Sequence, residues 1–299
     1  MTVHDAIGSC KVMLRHKESP EVKVKYQAVI IDLDGTLLND HNQISSNNIE
    51  AIKLAKSEGY QVTLASGRSH NLMIPFAKQL GIKLPMICCN GAYLFHPVNN
   101  NISNSRFIEP KVLDSLLETL NLGQFCFTLY CANGIFATQE SSHFNGLKQQ
   151  VVALGAGGRM RIIANVKELL GQCGVVYKVL VSSQDNADLC QLRDELRVDL
   201  QADLSAPNKL DVTAQGTNKG VATIHLLNQL NINPKYTIAF GDGDNDAEMF
   251  RVVGEPVAMK NASPAIRGLA NIIVTDNNGC GIGQYLRRVV FEGQHSYLY

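Results

Sequence analysis

The run Ala28-Val29-Ile30-Ile31 leads straight into Asp32-Leu33-Asp34-Gly35. A short, unbroken apolar run suits a strand buried on both faces of a parallel sheet. Alternation along the strand sends Asp32 and Asp34 in one direction. They stand at the carboxyl end of that strand, where open α/β sheets bind ligands. From spacing alone a plainer reading stays open, with Asp34-Gly35 as a turn and Asp32 as a cap. Working outward, a helix is expected over 47–57, capped by Asn47 and stopped by Gly59. A strand over 61–65, a turn at Ser66-Gly67-Arg68, a helix ending at Gly81 and a strand over 86–89 follow. This alternation predicts a Rossmann-like α/β core with a parallel sheet.

From residue 93 the pattern changes. Closely spaced strands over 125–130 and 135–138, a glycine loop at 155–158, and strand, helix and strand over 175–204 predict an inserted α+β unit spanning 93–206. Helix 219–230 and strand 237–240 then restore the first pattern, so 26–92 and 207–299 form one core. Residues 1–25 are mixed in charge and lack the apolar stretch of a secretory signal, and are expected to be a loosely ordered extension.

A second acidic cluster strengthens the reading of the first. Asp242, Asp244 and Asp246 follow the strand over 237–240. If both strands share a sheet, five carboxylates converge on one edge, and they repel one another unless a cation intervenes. Hard oxygen donors of this kind suit Mg²⁺. An EF-hand is excluded, because Ala247 stands where its glycine belongs and Val253 where its glutamate belongs. No glycine-rich nucleotide loop of the dinucleotide or P-loop type is present. Ser66 and Gly67 follow a strand, which is ordinary for a turn. Lys219 opens a helix, where its charge has the wrong sign for the dipole.

Composition bounds the function. The chain has 299 residues, 45% of them apolar and 18% charged, with 27 basic and 27 acidic residues. A neutral chain has no global field for DNA or an anionic membrane, and no apolar stretch reaches the ~18 residues of a spanning helix. Eight cysteines without a C-x-x-C pair suit buried thiols in a reducing cytoplasm.

Asp32-Leu33-Asp34-Gly35-Thr36-Leu37-Leu38, then Ser66, Lys219 and Gly241-Asp242-Gly243-Asp244-Asn245-Asp246, come in the order of the four motifs of the haloacid dehalogenase-like hydrolase superfamily, which the chain resembles over about residues 26–290. The insert between the second and third motifs resembles a type IIB cap. Ser66-Gly67-Arg68, Asn90-Gly91-Ala92 and Asn218-Lys219-Gly220 resemble the Cof-type phosphatases. The resemblance implies a Mg²⁺-dependent phosphatase of a small phosphorylated metabolite, a sugar phosphate, with a cap that sets specificity. It implies Asp32 as nucleophile and Asp34 as general acid and base, the latter with a raised proton affinity. Asp32, the Asp34 carbonyl and Asp242 are the implied metal ligands, with Asp246 acting through water or as support. Ser66, Gly67, Lys219 and Asn245 are the implied phosphoryl-binding residues, and Asp244 has no role. Arg68 is readable as a phosphate neighbour or as a surface ion pair.

Two alternatives stand beside this reading. A phosphomutase needs cap arginines for a second phosphate, for which Arg106, Arg159, Arg161, Arg193 and Arg197 are candidates. A non-catalytic phosphometabolite-binding protein would lack one of the motifs. Tyr130, Asn133, His143, Lys178 and Lys209 are candidates to face the site from the insert, although surface or core roles suit each of them.

Overall fold

The computed structural model describes residues 26–295 except positions 197 and 207, so the extension expected over 1–25 and Arg197 lie outside the described residues. The apolar run forms β1 (Ala28–Asp32), buried along its whole length. The expected alternation follows as α1 (Ser46–Ser57), β2 (Gln61–Ala65), α2 (His70–Leu80) and β3 (Met86–Cys88). Two short strands come next, β4 (Tyr93–His96) and β5 (Asn101–Ser103). A second unit contains α3 (Pro110–Leu122), β6 (Cys126–Cys131), β7 (Gly134–Ala137), α4 (Ser142–Ala153) and β8 (Met160–Ile162). It continues with α5 (Val166–Cys173), β9 (Val176–Ser182), α6 (Asn186–Leu196), β10 (Leu200–Ala206) and β11 (Lys209–Ala214). The chain closes with α7 (Lys219–Gln229), β12 (Thr237–Gly241), α8 (Ala247–Val252), β13 (Glu255–Met259), α9 (Pro264–Leu269), β14 (Ile272–Val274) and α10 (Gly281–His295).

The first sheet runs β14-β13-β12-β1-β2-β3-β4-β5, parallel from β14 to β3 and antiparallel beyond. Alternate residues of β1 enter different cores. Val29 and Ile31 pack with Ile52 of α1, Met73 of α2 and Leu286 of α10. Ile30 packs on the other face with Leu226 of α7, Phe250 of α8 and Ile266 of α9. Helices on both faces explain why β1 reads as an unbroken apolar run.

The second sheet runs β10-β11-β9-β6-β7-β8. Phe127, Leu129, Val179, Val181 and Val212 turn one face to α3, α5 and α6. The opposite face carries Tyr130, Lys178, Asp211 and Thr213, all buried. This polar face, which α4 covers in part through Phe144 and Leu147, is the side turned to the first sheet's carboxyl edge.

Two details differ from the sequence reading. Ser45, not Asn47, caps α1, its hydroxyl accepting the Asn48 amide at 3.2 Å. Asn48 is buried instead and accepts the Gly283 amide at 2.9 Å, tying α1 to α10. The expected boundaries at 92/93 and 206/207 also miss the change of sheet. β4 and β5 extend the first sheet, and β11 belongs to the second. Short antiparallel strands look alike in sequence whichever sheet they join, because the partner is what distinguishes them. Among the described residues no helix is long and apolar enough to cross a membrane.

Candidate active site

β1 and β12 are parallel neighbours, with Ile31 opposite Phe240, so their carboxyl ends emerge side by side. This brings Asp32 and Asp34 to Asp242 and Asp246. Carboxylate oxygens of Asp32, Asp242 and Asp246 lie within 4.8 Å of one another. Gly35 makes room for this, since its φ is +75° and an added Cβ would collide with the Asp242 carboxylate.

Lys219 lies beneath the cluster and is wholly buried. Its Nζ donates to Asp32 Oδ1 at 2.7 Å and to Asp246 Oδ1 at 2.6 Å. Asn218 places it, its side chain capping α7 by accepting the Val221 amide at 2.8 Å. Burial raises the proton affinity of Asp32 well above the ordinary carboxylate range, Lys219 opposes this, and Asp246 and Asp242 add to it. Lys219 itself is held protonated: burial works against its charge, but Asp246 and Asp32 outweigh it. Asp242 is raised to about 6, chiefly by burial, although the Thr36 hydroxyl donates to it at 2.6 Å.

Asp246 has both oxygens engaged. Oδ1 takes Lys219, and Oδ2 accepts the amides of Asp242 and Gly243 at 3.0 and 3.1 Å. It therefore braces the loop that carries Asp242. Asp244 turns away and accepts the Ser263 hydroxyl at 2.5 Å. The donor set left for a hard cation is carboxylate oxygen from Asp32 and Asp242, which fits a small divalent ion completed by water.

Asp34 departs from expectation. Arg68 donates to it through Nε at 2.8 Å and Nη2 at 2.5 Å. Crowding by the cleft walls pushes its proton affinity up although its side chain is 55% exposed, but the Arg68 hydrogen bonds and charge, with Lys219 and Lys178, outweigh this and hold it below the ordinary value. The raised affinity expected for Asp34 is thus not what the structure has, because Arg68, 34 residues away, lies within the cleft and not on the surface.

The cleft between the two sheets has a volume of about 380 Å³ and is lined by Asp32, Asp34, Ser66, Gly67, Asp242 and Asn245 from the first unit. The second unit adds Tyr130, His143, Lys178 and Lys209, four of the five residues singled out there. Asn133 is elsewhere, its amide donating to the Gln172 carbonyl at 3.3 Å. Ser66 Oγ accepts the Arg68 amide at 3.2 Å. Asn245 donates to Asn90 at 3.0 Å, and Asn90 donates to Asp211 at 2.7 Å. Lys178 pairs with Asp211 at 3.1 Å and donates to the Gly67 carbonyl at 2.7 Å. This chain of contacts seats the second sheet on the first.

Asn90 and Asp211 were not foreseen as parts of the site. Asp211 had a signal, as a charge amid the apolar residues of Leu210-Asp211-Val212; Asn90 owes its place to a left-handed turn with φ +57°.

His70 and His143 are both held neutral. Burial lowers His70 to about 4, and burial with Lys178 and Lys209 lowers His143 to about 3. Both folded values lie below the ordinary 6.5, so the unfolded chain takes up protons first as pH falls. Their contribution to stability is complete above pH 6.5 and is lost toward pH 4. Urea unfolding is expected to show lower stability at pH 5 than at pH 7, with a smaller difference in His70→Phe; an equal difference in that variant would remove His70 from the account.

A model of the haloacid dehalogenase-like hydrolases matches residues 29–286. The chain is 27% identical over 264 residues to the pyridoxal phosphate phosphatase YbhA of Escherichia coli (strain K12), covering 87% of this chain and 97% of that one. It is 26% identical over 275 residues to the 5-amino-6-(5-phospho-D-ribitylamino)uracil phosphatase YitU of Bacillus subtilis (strain 168), covering 89% and 98%. A solved haloacid dehalogenase-like hydrolase from B. subtilis superposes with a TM-score of 0.79 at 26% identity, covering 87% of this chain and 99% of that one. The edge of carboxylates around a buried lysine and the match along most of the chain agree: the chain belongs to the haloacid dehalogenase-like hydrolase family and is a phosphatase of the Cof type.

Proposed function

We propose that this phosphatase is a Mg²⁺-dependent hydrolase of a small phosphorylated metabolite, a sugar phosphate, working through an aspartyl-phosphate on Asp32. The observation that carries the reading is the double anchoring of Lys219. It holds Asp32 by Oδ1 at 2.7 Å, and Oδ2 has no hydrogen bond among the described residues. That oxygen is the proposed nucleophile. It attacks phosphorus in line as the ester oxygen leaves with a proton from Asp34. Water then attacks the phosphoryl group on Asp32 and gives its proton to Asp34, releasing inorganic phosphate. Ser66, the Gly67 amide, Asn245 and Lys219 hold the phosphoryl oxygens.

Asp34 as found, with Arg68 attached, is set for the base step. The acid step is served when the substrate's dianion enters, since added negative charge raises the proton affinity of a neighbouring carboxyl. Asp32, the Asp34 carbonyl and Asp242 would hold Mg²⁺, with Asp246 as brace. Bound there, Mg²⁺ neutralises charge on the transferring group. The second unit acts as the specificity cap, excluding water over the substrate. The described cysteines are free thiols, in keeping with a cytoplasmic setting.

The mutase alternative finds no support in the cap arginines among the described residues. Arg159 and Arg161 both donate to Gln172, and Arg193 pairs with Asp194. None of the three lines the cleft, nor does Arg106.

Phosphate release from a panel of phosphorylated metabolites tests the proposal. Release with Mg²⁺ is expected to stop in EDTA and return on adding Mg²⁺, which is also expected to raise the melting temperature. Undiminished release in EDTA would overturn the metal assignment.

A further inference from the structure

The roof of the cleft carries a charge that no side chain among the described residues pairs with. Lys209 opens β11, and alternation places it on the same face as Asp211 and Thr213. It lines the cleft and is half-buried. Lys178, the other roof lysine, is matched by Asp211, which also receives Asn90. The Lys209 side chain has no hydrogen bond or ion pair among the described residues. Arg68 adds a second unused donor. Its Nε and Nη2 serve Asp34, while the buried Nη1 has no partner, and Arg68 lines the same cleft at 7% exposure.

Phosphoryl binding at the floor does not need either group. The floor has its own cation in Lys219 and its own carboxylates. Apart from the Lys178–Asp211 pair, the roof around Lys209 is neutral. Tyr130 and His143 join through a hydrogen bond of 2.9 Å, and Ser142, Gln150 and Ser205 add further uncharged polar groups to the lining. A lysine facing an open cleft is satisfied by water, but a substrate that fills the cleft displaces that water. The lysine then needs an acceptor from the ligand, and a charged one serves best.

We propose that the leaving group carries a second anionic group, received by Lys209 with help from Arg68 Nη1, so that acidic sugar phosphates are preferred to neutral ones. This rests on the function proposed above and deepens it. A carboxylate and a second phosphate share the required chemistry, and two matched pairs separate them: 6-phosphogluconate against glucose 6-phosphate, and fructose 1,6-bisphosphate against fructose 6-phosphate.

The test measures kcat and KM for both pairs with the full chain and Mg²⁺, with p-nitrophenyl phosphate as a substrate that has no second anion. The wild type is expected to favour the acidic member of at least one pair by about tenfold or more in kcat/KM, and Lys209→Gln to erase that preference mainly through KM. Lys209→Arg is expected to keep the preference and Lys209→Glu to reverse it. The inference is overturned if the wild type favours neither acidic member, if it hydrolyses p-nitrophenyl phosphate but neither pair, or if Lys209→Gln slows both members of a pair alike. Failure to hydrolyse any of the five esters would instead overturn the proposed function, and this inference with it.

Discussion

Asp32→Asn is expected to abolish phosphate release while leaving the protein at least as stable as the wild type. Loss of the nucleophile in a covalent hydrolase costs on the order of 10⁴-fold or more in kcat, because the remaining groups act only in concert with it. The stability half of the expectation comes from electrostatics. Asp32 is 5% exposed, and burial together with Asp246 and Asp242 raises its proton affinity despite Lys219. A carboxyl whose folded value is raised opposes folding more as pH climbs above its unfolded value. At pH 7 the ionised form is therefore a burden the fold carries for function, and an amide of the same shape removes it. Phosphate release and urea midpoints in EDTA check the two halves. Wild-type turnover in the variant would sink the covalent mechanism. Marked destabilisation would sink the claim that Asp32 is strained by its neighbours.

Lys219→Met is expected to fail in both respects. The lysine is the shared counter-charge of two buried carboxylates, at 2.7 Å from Asp32 and 2.6 Å from Asp246. Removing one member of a buried ionic cluster leaves the others uncompensated, which costs about 3–5 kcal/mol. Methionine fills the volume, so the loss reports charge and not a cavity. Because Asp246 also holds the amides of Asp242 and Gly243, its displacement would loosen the loop that presents Asp242. In EDTA the variant is expected to unfold at clearly lower urea, with partial recovery in Mg²⁺, and to lack turnover in either. Adding Asp32→Asn to it is expected to recover part of the stability and none of the activity, since the pair is coupled. A Lys219→Met protein as stable as the wild type in EDTA would contradict the buried triad.

What the chain by itself determined was the local periodicity and the points where it is broken. Ala28–Asp32 is apolar without alternation because helices cover both sides of its sheet, so one run of residues announced the α/β core. Asp32, Asp34, Asp242 and Asp246 were legible because carboxylates after a buried strand have few structural uses. Ser66 and Lys219 took their meaning from the order of motifs.

What only the tertiary structure decided were the pairings across long stretches of chain. Arg68 reads as a phosphate neighbour or a surface ion pair until the fold sets it against Asp34 and reverses the expected proton affinity. Lys219 reads as a helix-start lysine until it is buried 187 residues away in sequence from its partner Asp32. Asp211, Asn90 and Lys178 become a bridge between sheets only when β9 and β11 pair with Thr213 opposite Lys178. β4 and β5 joined the first sheet, and β11 the second, against the expected boundaries. The physical reason is common to all of these. Hydrophobic period is a property of neighbours in sequence, whereas the charge state of a buried group and the partner of a short strand depend on what the fold brings within a few ångströms.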